Sequence, residues 1–249
     1  MSSWEALLDS KYDTVRKATY LALDVPDVTS ALQLVDDFFP VVDGYKVGLE
    51  LFHAAGMNLV EQLLKRNARV FLDMKLHDIP NTVHGALRAI CQAPIEMVNV
   101  HAQGGQRMLS AAREAVDASP CQPLLIGVTI LTSMDRSDLQ AVGIEGTPEA
   151  AVERLTNLCI GAGLDGVVCS AEELDMLAKR VPVGFERVVP GTRLAMDSVH
   201  DQRRSRSPGE AMRSGATRLV LGRAIVQASD RLSALEAYWS DMLEGDSQA

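Results

Sequence analysis

Short apolar runs rich in β-formers recur along the chain, and each finishes on a polar or small residue. They are Tyr20–Asp24, Gly44–Gly48, Val70–Asp73 and Met97–His101, then Leu124–Thr129, Gly166–Cys169, Arg187–Pro190 and Arg218–Gly222. Between them the apolar spacing lengthens to three and four residues, the period of an amphipathic helix. Ala31, Leu32, Leu34, Val35, Phe38 and Phe39 keep that spacing behind the turn-like pair Pro26-Asp27. Leu59, Val60, Leu63 and Leu64 repeat it, as does the Ala-rich stretch from Ala86 to Ala93. Eight strand candidates alternating with helices, with no linker or composition break, predict one (β/α)8 barrel domain over residues 1–249. A doubly wound open sheet is the competing arrangement. The strand ends favour the barrel: Asp24, Lys46, Asp73, His101, Thr129 and Gly222 fall where strands finish, and barrel enzymes gather their chemistry at that face.

Composition narrows the picture. At 249 residues and 47% hydrophobic, the chain matches one globular barrel with a substantial core. It has no apolar stretch long enough to span a bilayer, and Met-Ser-Ser-Trp-Glu-Ala lacks a signal peptide's basic start and apolar core. Cys91, Cys121, Cys159 and Cys169 show no CxxC spacing, and Cys91 and Cys169 lie in apolar segments as small core residues. A reduced, cytoplasmic protein is expected. The net charge of −9 argues against a general nucleic-acid surface. An acidic protein can still hold a phosphate if a few arginines gather at one point. The five histidines, His53, His77, His84, His101 and His200, have no metal-ligand spacing, so no metal site is expected. His101, at a strand end, reads as a pocket wall or a hydrogen-bonding group rather than a base.

The densest chemistry follows Val70-Phe71-Leu72, in the run Asp73-Met74-Lys75-Leu76-His77-Asp78-Ile79-Pro80-Asn81-Thr82. If the strand persists, its period of two puts Asp73 and Lys75 on one side. Asp78 adds a third charge just beyond. Such density at the end of a buried strand is costly unless the charges pair. An ion-paired cap on a barrel is the structural alternative to an active site.

A phosphate site is suggested late in the chain. Pro190-Gly191-Thr192-Arg193 ends the seventh strand candidate, and a long Ser/Arg-rich loop over 194–208 follows, the kind used as a lid or binding loop. Leu221-Gly222-Arg223 then ends the eighth strand and opens a helix. The loops after strands seven and eight are the usual phosphate site of a barrel. Gly222 lets a backbone amide approach a phosphate oxygen, and Arg223 offers a bidentate guanidinium. Position favours function for Arg193, Gln202 and Arg223, and a solvated surface run for Arg203, Arg204 and Arg206.

The decapeptide resembles the active-site signature of the orotidine 5′-monophosphate decarboxylase family. Further stretches resemble the family in the same order: Ala22-Leu23-Asp24, Tyr45-Lys46-Val47-Gly48, Val100-His101-Ala102, Leu131-Thr132-Ser133, Asp165 to Ser170, Pro190-Gly191-Thr192-Arg193, Asp201-Gln202-Arg203-Arg204 and Gly222-Arg223. The resemblance implies a homodimeric barrel, free of cofactor and metal, that converts orotidine 5′-monophosphate to UMP and CO2 at the last step of de novo pyrimidine nucleotide synthesis. It implies that Lys75 is the catalytic lysine, flanked by Asp73 and Asp78. Asp78 and Thr82 would serve the partner subunit's site. Asp24 and Lys46 would contact the ribose and Thr132 the pyrimidine. Gln202, Arg223 and the Gly222 amide would grip the phosphate, with Arg193 nearby. Thr192 departs from the family's usual isoleucine, and the spacing between Arg193 and Gln202 varies within the family.

Two other functions fit parts of the pattern. A metal-dependent sugar-phosphate decarboxylase or synthase of the same superfamily shares the Asp-x-Lys-x-x-Asp core and uses Mg2+. The continuation Ile79-Pro80-Asn81-Thr82 and the Asp201-Gln202 loop argue against it. A non-catalytic nucleotide-binding barrel would need a broken charge set, whereas Asp73, Lys75 and Asp78 are all present.

Overall fold

Eight parallel strands close into a barrel in sequence order: β1 (Thr19–Ala22), β2 (Gly44–Val47), β3 (Arg69–Leu76), β4 (Met97–His101), β5 (Leu124–Val128), β6 (Gly166–Val168), β7 (Glu186–Pro190) and β8 (Arg218–Leu221). The computed structural model describes residues 3–194 and 206–246. β1 pairs with β8 through Thr19 with Leu219, Tyr20 with Val220 and Leu21 with Leu221, so no edge is left open. All eight strands fall on the predicted apolar runs, and the open sheet is thereby ruled out.

The strands alternate between two apolar compartments, as their period of two requires. Tyr20, Ala22, Phe71, Met97, Ile126, Val188 and Val220 fill the barrel interior. Residues of opposite parity, such as Leu21, Val47, Leu72, Val98 and Val100, pack outward against the helices. On β3 this alternation sorts the chemistry. Leu72, Met74 and Leu76 pack into the outer layer, which turns Asp73 and Lys75 toward the barrel axis above Phe71.

Helices form where the spacing predicts and start earlier, but those read to Phe39 and Ala93 end at Phe38 and Ile90. Val28–Phe38 starts on Asp27, whose carboxylate accepts from the Ser30 N–H at 2.9 Å. Leu49–Leu64 begins ten residues before Leu59, and Gly56, at φ 60°, kinks it into two helical pieces of which the spacing marked only the second. Pro80–Ile90 opens on a proline, which tolerates the first turn because its missing N–H has no helical partner there. The sequence pattern gave no hint of the short helices Ser3–Leu7 and Asp13–Ala18. Among the described residues, no helix is long and apolar enough to cross a membrane.

The opposite end of the barrel is closed by charge and by one large ring. Arg69, the first residue of β3, meets Asp43 at 2.8 Å and Glu96 at 3.0 Å and lies over the Tyr20 ring. Arg218, the first of β8, pairs with Glu186 at 3.2 Å. The C-terminal helix Arg231–Asp246 buries Trp239 completely, with its ring 5.5 Å from that of Tyr12. The indole N–H donates to Thr19 Oγ1 at 2.9 Å.

Trp239→Phe removes this donor and is expected to cost about 1–2 kcal/mol. Trp239→Ala also opens a cavity and is expected to cost about 3–5 kcal/mol. Urea unfolding should rank the two in that order; equal losses would assign the indole's role to the hydrogen bond alone.

Candidate active site

β3 reaches further than the apolar run suggests, and irregularly. Its partners on β4 are Leu72 with Val98 and then Leu76 with Val100, so Asp73, Met74 and Lys75 together face the single residue Asn99. Lys75 sits in the left-handed region at φ 48°, which a residue with a Cβ rarely adopts. Despite this bulge, Asp73 and Lys75 project to one side, as the period-two reading expects.

These residues form a chain of alternating charge at the C-terminal ends of β1, β2 and β3. Asp24 lies just beyond β1, and its Oδ1 is 3.1 Å from Lys46 Nζ of β2. The same ammonium is 3.6 Å from Asp73 Oδ2, and Asp73 Oδ1 accepts from Lys75 Nζ at 2.6 Å. The Lys46 and Asp73 side chains are only 10% and 13% exposed, whereas Lys75 is 31% exposed and can meet a ligand. A Cβ at Gly48 would lie 2.9 Å from Lys46 Nζ, so any larger residue there would displace the lysine head group from its two carboxylates.

Burial by itself would push the Asp73 carboxyl up. The charges of Lys46 and Lys75, with hydrogen bonds from Lys75 and Asn99, outweigh it and hold the group below its ordinary value of 3.8. His101, at the end of β4, is pushed down to about 4 by burial and by the neighbouring His77 and Lys75. It is therefore neutral at physiological pH. Its ring stacks on His77 at 5.3 Å, and its buried Nδ1 has no hydrogen-bond partner among the described residues. These features favour an uncharged, ring-stacked side chain over a cation, and His101 is not among the residues that line the cavity beside Lys75.

Lys46, Asp73 and Lys75 form one side of a cavity of about 210 Å³. Thr132 and Leu131, from the loop after β5, lie on its wall with Val128, Val168, Val188, Pro190 and Val220. A second cavity of about 120 Å³ shares the same three charged residues and includes Asp24 and Gly48. A planar ring with apolar faces suits the first space, and a polar group suits the second. Thr129, also a polar strand end, contributes no free hydroxyl, because its Oγ1 donates to the Val168 carbonyl at 2.8 Å.

Other sequence-predicted residues stand apart from this cluster. Asp78 and Thr82 are exposed on the rim, where Asp78 Oδ1 accepts from the Ile79 N–H at 2.7 Å. Among the described residues, no cation of the same chain pairs with Asp78. Gly222 and Arg223 follow β8 two and three positions beyond Val220. A Cβ on Gly222 would come no nearer than 3.8 Å to Ala22, so crowding within the chain does not demand glycine there. Arg193 is fixed through its backbone, whose N–H donates to the Arg206 carbonyl at 3.1 Å. The Arg206 guanidinium pairs with Asp175 at 3.0 Å, in keeping with a surface role. Gln202, Arg203 and Arg204 lie outside the described residues. Among the described residues, no three His, Cys, Asp or Glu side chains form a group that could hold a metal ion. Asn99 is the residue that sequence reasoning passed over. The available signal was a lone amide in the apolar run Met97–His101, on the inward parity shared by Met97.

Fold and site together define an α/β-barrel enzyme whose reactive face is built from paired lysines and aspartates. Comparison with known proteins narrows that class. The chain belongs to the orotidine 5′-phosphate decarboxylase / HUMPS family, whose model matches residues 19–238. It is 49% identical over 222 residues to the orotidine 5′-phosphate decarboxylase of Chromobacterium violaceum, covering 89% of this chain and 90% of that protein. Its identity to the Nitrosospira multiformis protein of the same name is 50% over 210 residues, 84% of this chain and 87% of that one. The crystal structure of orotidine 5′-phosphate decarboxylase from Lactobacillus acidophilus superposes with a TM-score of 0.81 at 31% identity, covering 91% of this chain and 99% of that chain.

The Asp73 pairing makes a prediction about acid behaviour. Its folded pKa lies below the unfolded value, so its stabilising contribution is full above about pH 4 and is lost as pH falls through the lower folded value. Carbon-detected titration of labelled aspartates should include a midpoint below 3.8 that disappears in Asp73→Asn, while the depressed midpoints of Asp27, Asp175 and Asp230 remain. A midpoint at or above the ordinary value would contradict the charge balance described here.

Proposed function

We propose that the chain is a carboxy-lyase that converts orotidine 5′-monophosphate to UMP and CO2 without a cofactor. The observation that carries this reading is the Asp24–Lys46–Asp73–Lys75 charge chain on the wall of a ring-sized cavity. Loss of CO2 leaves the electron pair of the broken bond on C6, in an sp2 orbital within the ring plane. The ring carbonyls cannot delocalise that pair, so a fixed cation must meet it. Lys75 has the required placement: its ammonium stabilises the developing carbanion and then transfers a proton to C6. The resulting neutral amine recovers its proton from solvent.

Asp73 has two roles in this scheme. It holds Lys75 charged and in place, and it faces the substrate carboxylate. Two like charges about 4 Å apart repel by roughly 4 kcal/mol at the effective dielectric near a protein surface. Departure of CO2 relieves that repulsion, while stabilisation of the C6 anion remains the larger contribution. In this reading Asp24 and Lys46 take the ribose hydroxyls, and Thr132 contacts the pyrimidine. The Gly222 amide, Arg223, Arg193 and Gln202 hold the phosphate, whose binding energy then serves orientation at C6. The exposed Asp78 and Thr82 fit a homodimer in which each subunit completes its neighbour's site. The reading takes residues 1–249 as one catalytic barrel domain working in the cytoplasm.

Loss of ultraviolet absorbance on consumption of orotidine 5′-monophosphate tests the activity directly. Turnover should survive EDTA, which separates this reading from the metal-dependent sugar-phosphate chemistry of the same superfamily. Lys75→Ala should lose more than the roughly 10²–10³-fold typical of one transition-state donor, because charge stabilisation and the proton source vanish together. Retention of a tenth of the activity would remove Lys75 from the mechanism.

The shared site has its own test. Lys75→Ala and Asp78→Ala proteins, each inactive alone, should regain activity when mixed under conditions of subunit exchange. One site of the mixed dimer would then hold an intact Lys75 and an intact partner aspartate. Failure to recover after exchange is verified would place the whole site within one chain.

A further inference from the structure

Asn99 is fully buried among the apolar residues of β4, on the inward face between Met97 and His101. A buried primary amide costs free energy unless its donors and acceptor are used. Here both ends are occupied by the reacting pair. Asn99 Oδ1 accepts from the Lys75 backbone N–H at 2.7 Å, and Asn99 Nδ2 donates to Asp73 Oδ1 at 2.7 Å. The partners also fix which way the amide points, since an N–H must face the oxygen and a carboxylate must face the NH2.

We propose that Asn99 is the positioning residue that sets the Asp73–Lys75 geometry for decarboxylation, by bridging the three-residue bulge in β3 with one side-chain amide. This inference rests on the function proposed above. The bulge leaves Lys75 at a positive φ, where the regular ladder between β3 and β4 is interrupted. Asn99 supplies the acceptor that the interrupted ladder lacks, and so holds the strained residue in place. Its other end loads a second donor onto the same oxygen that receives Lys75 Nζ. With Oδ1 fixed from two sides, the carboxylate cannot rotate away, and the lysine is aimed by its backbone and its head group together.

The side-chain chemistry is specific to asparagine. Aspartate would keep the acceptor but turn like charge toward Asp73. Leucine would keep the volume and lose both bonds. Serine, with one oxygen, could not reach both partners. The charged and titratable groups facing Asp73 are Lys46 from β2 and Lys75 from its own strand. Asp24 lies beyond Lys46, and His101 of β4 and His77 lie beside Lys75. Asn99 is the neutral member of this group, so it orients the pair without altering the charge balance. Its bond to the ionised carboxylate is also one of the causes that lower the Asp73 pKa.

The test compares Asn99→Leu with Asn99→Asp. Misplacing reacting groups by about 1 Å costs on the order of 10²-fold, so kcat should fall by about that factor in both, with KM changed by no more than about threefold. The Asp73 carboxyl titration should move to higher pH in both variants, and further in Asn99→Asp, where a like charge is added. The acid limb of kcat should follow it. A kcat within about threefold of the parent in either folded variant would overturn the proposal, since positioning is expected to be worth far more. An unmoved Asp73 titration would also overturn it, because a purely structural asparagine would lower the melting temperature and leave that titration alone. The titration is read without substrate, so it tests the clamp even if the parent enzyme fails to turn over orotidine 5′-monophosphate. That failure would sink the functional reading instead.

Discussion

The mouth of this barrel is organised around one constraint, the burial of an ionised carboxylate. Asp73 has little contact with water and sits above apolar barrel residues, so it requires cations and N–H donors within bonding distance. Each neighbouring oddity answers that need. Lys46 is buried to reach it, and Gly48 gives up a side chain to leave room for the Lys46 head group. Lys75 adopts a conformation that costs free energy, and Asn99 holds it there. A set of well-packed apolar residues would serve stability as well or better, because buried ion pairs often gain no more than they lose on desolvation. The arrangement presents a rigid ammonium to the cavity at the barrel mouth.

Most of the fold was legible because two periods were clean. Apolar runs of four to six residues marked every strand, and the three-and-four spacing marked the helices that follow β1, β2 and β3. The charged decapeptide was legible for a different reason, since charge at the end of a buried strand has few explanations. Three things were hidden. The bulge in β3 leaves no trace in a hydrophobic pattern, because Met74 and Leu76 still face outward and the alternation looks regular. Asn99 is a single polar residue inside an apolar run, and only its partners reveal why it is tolerated. The helices before β1 are short, and the partners that bury Leu7, Tyr12 and Val15 include residues near the other end of the sequence.

The two ends of the barrel use charge in opposite ways. At the strand N-termini, Arg69 and Arg218 are held by carboxylates from neighbouring strands, and burial raises the Tyr20 phenol so that it stays neutral against the Arg69 guanidinium. These pairs are closed on themselves and offer nothing to a ligand. At the other end, Lys75 keeps part of its surface open to a cavity. The same residue types therefore cap one end of the barrel and arm the other, and the difference lies in which of them remain accessible.

Closure of the ring has a consequence for how the molecule comes to exist. β1 finds its second neighbour only in β8, and the bond from Trp239 to Thr19 joins residues 220 positions apart. During synthesis the first strand must wait with an unpaired edge until the eighth has emerged, and exposed edges invite pairing with other chains. Contacts that span so much sequence also make folding slow compared with a helical bundle of similar stability. The symmetry of the finished barrel thus conceals a one-way assembly, in which the first strand made is among the last to be secured.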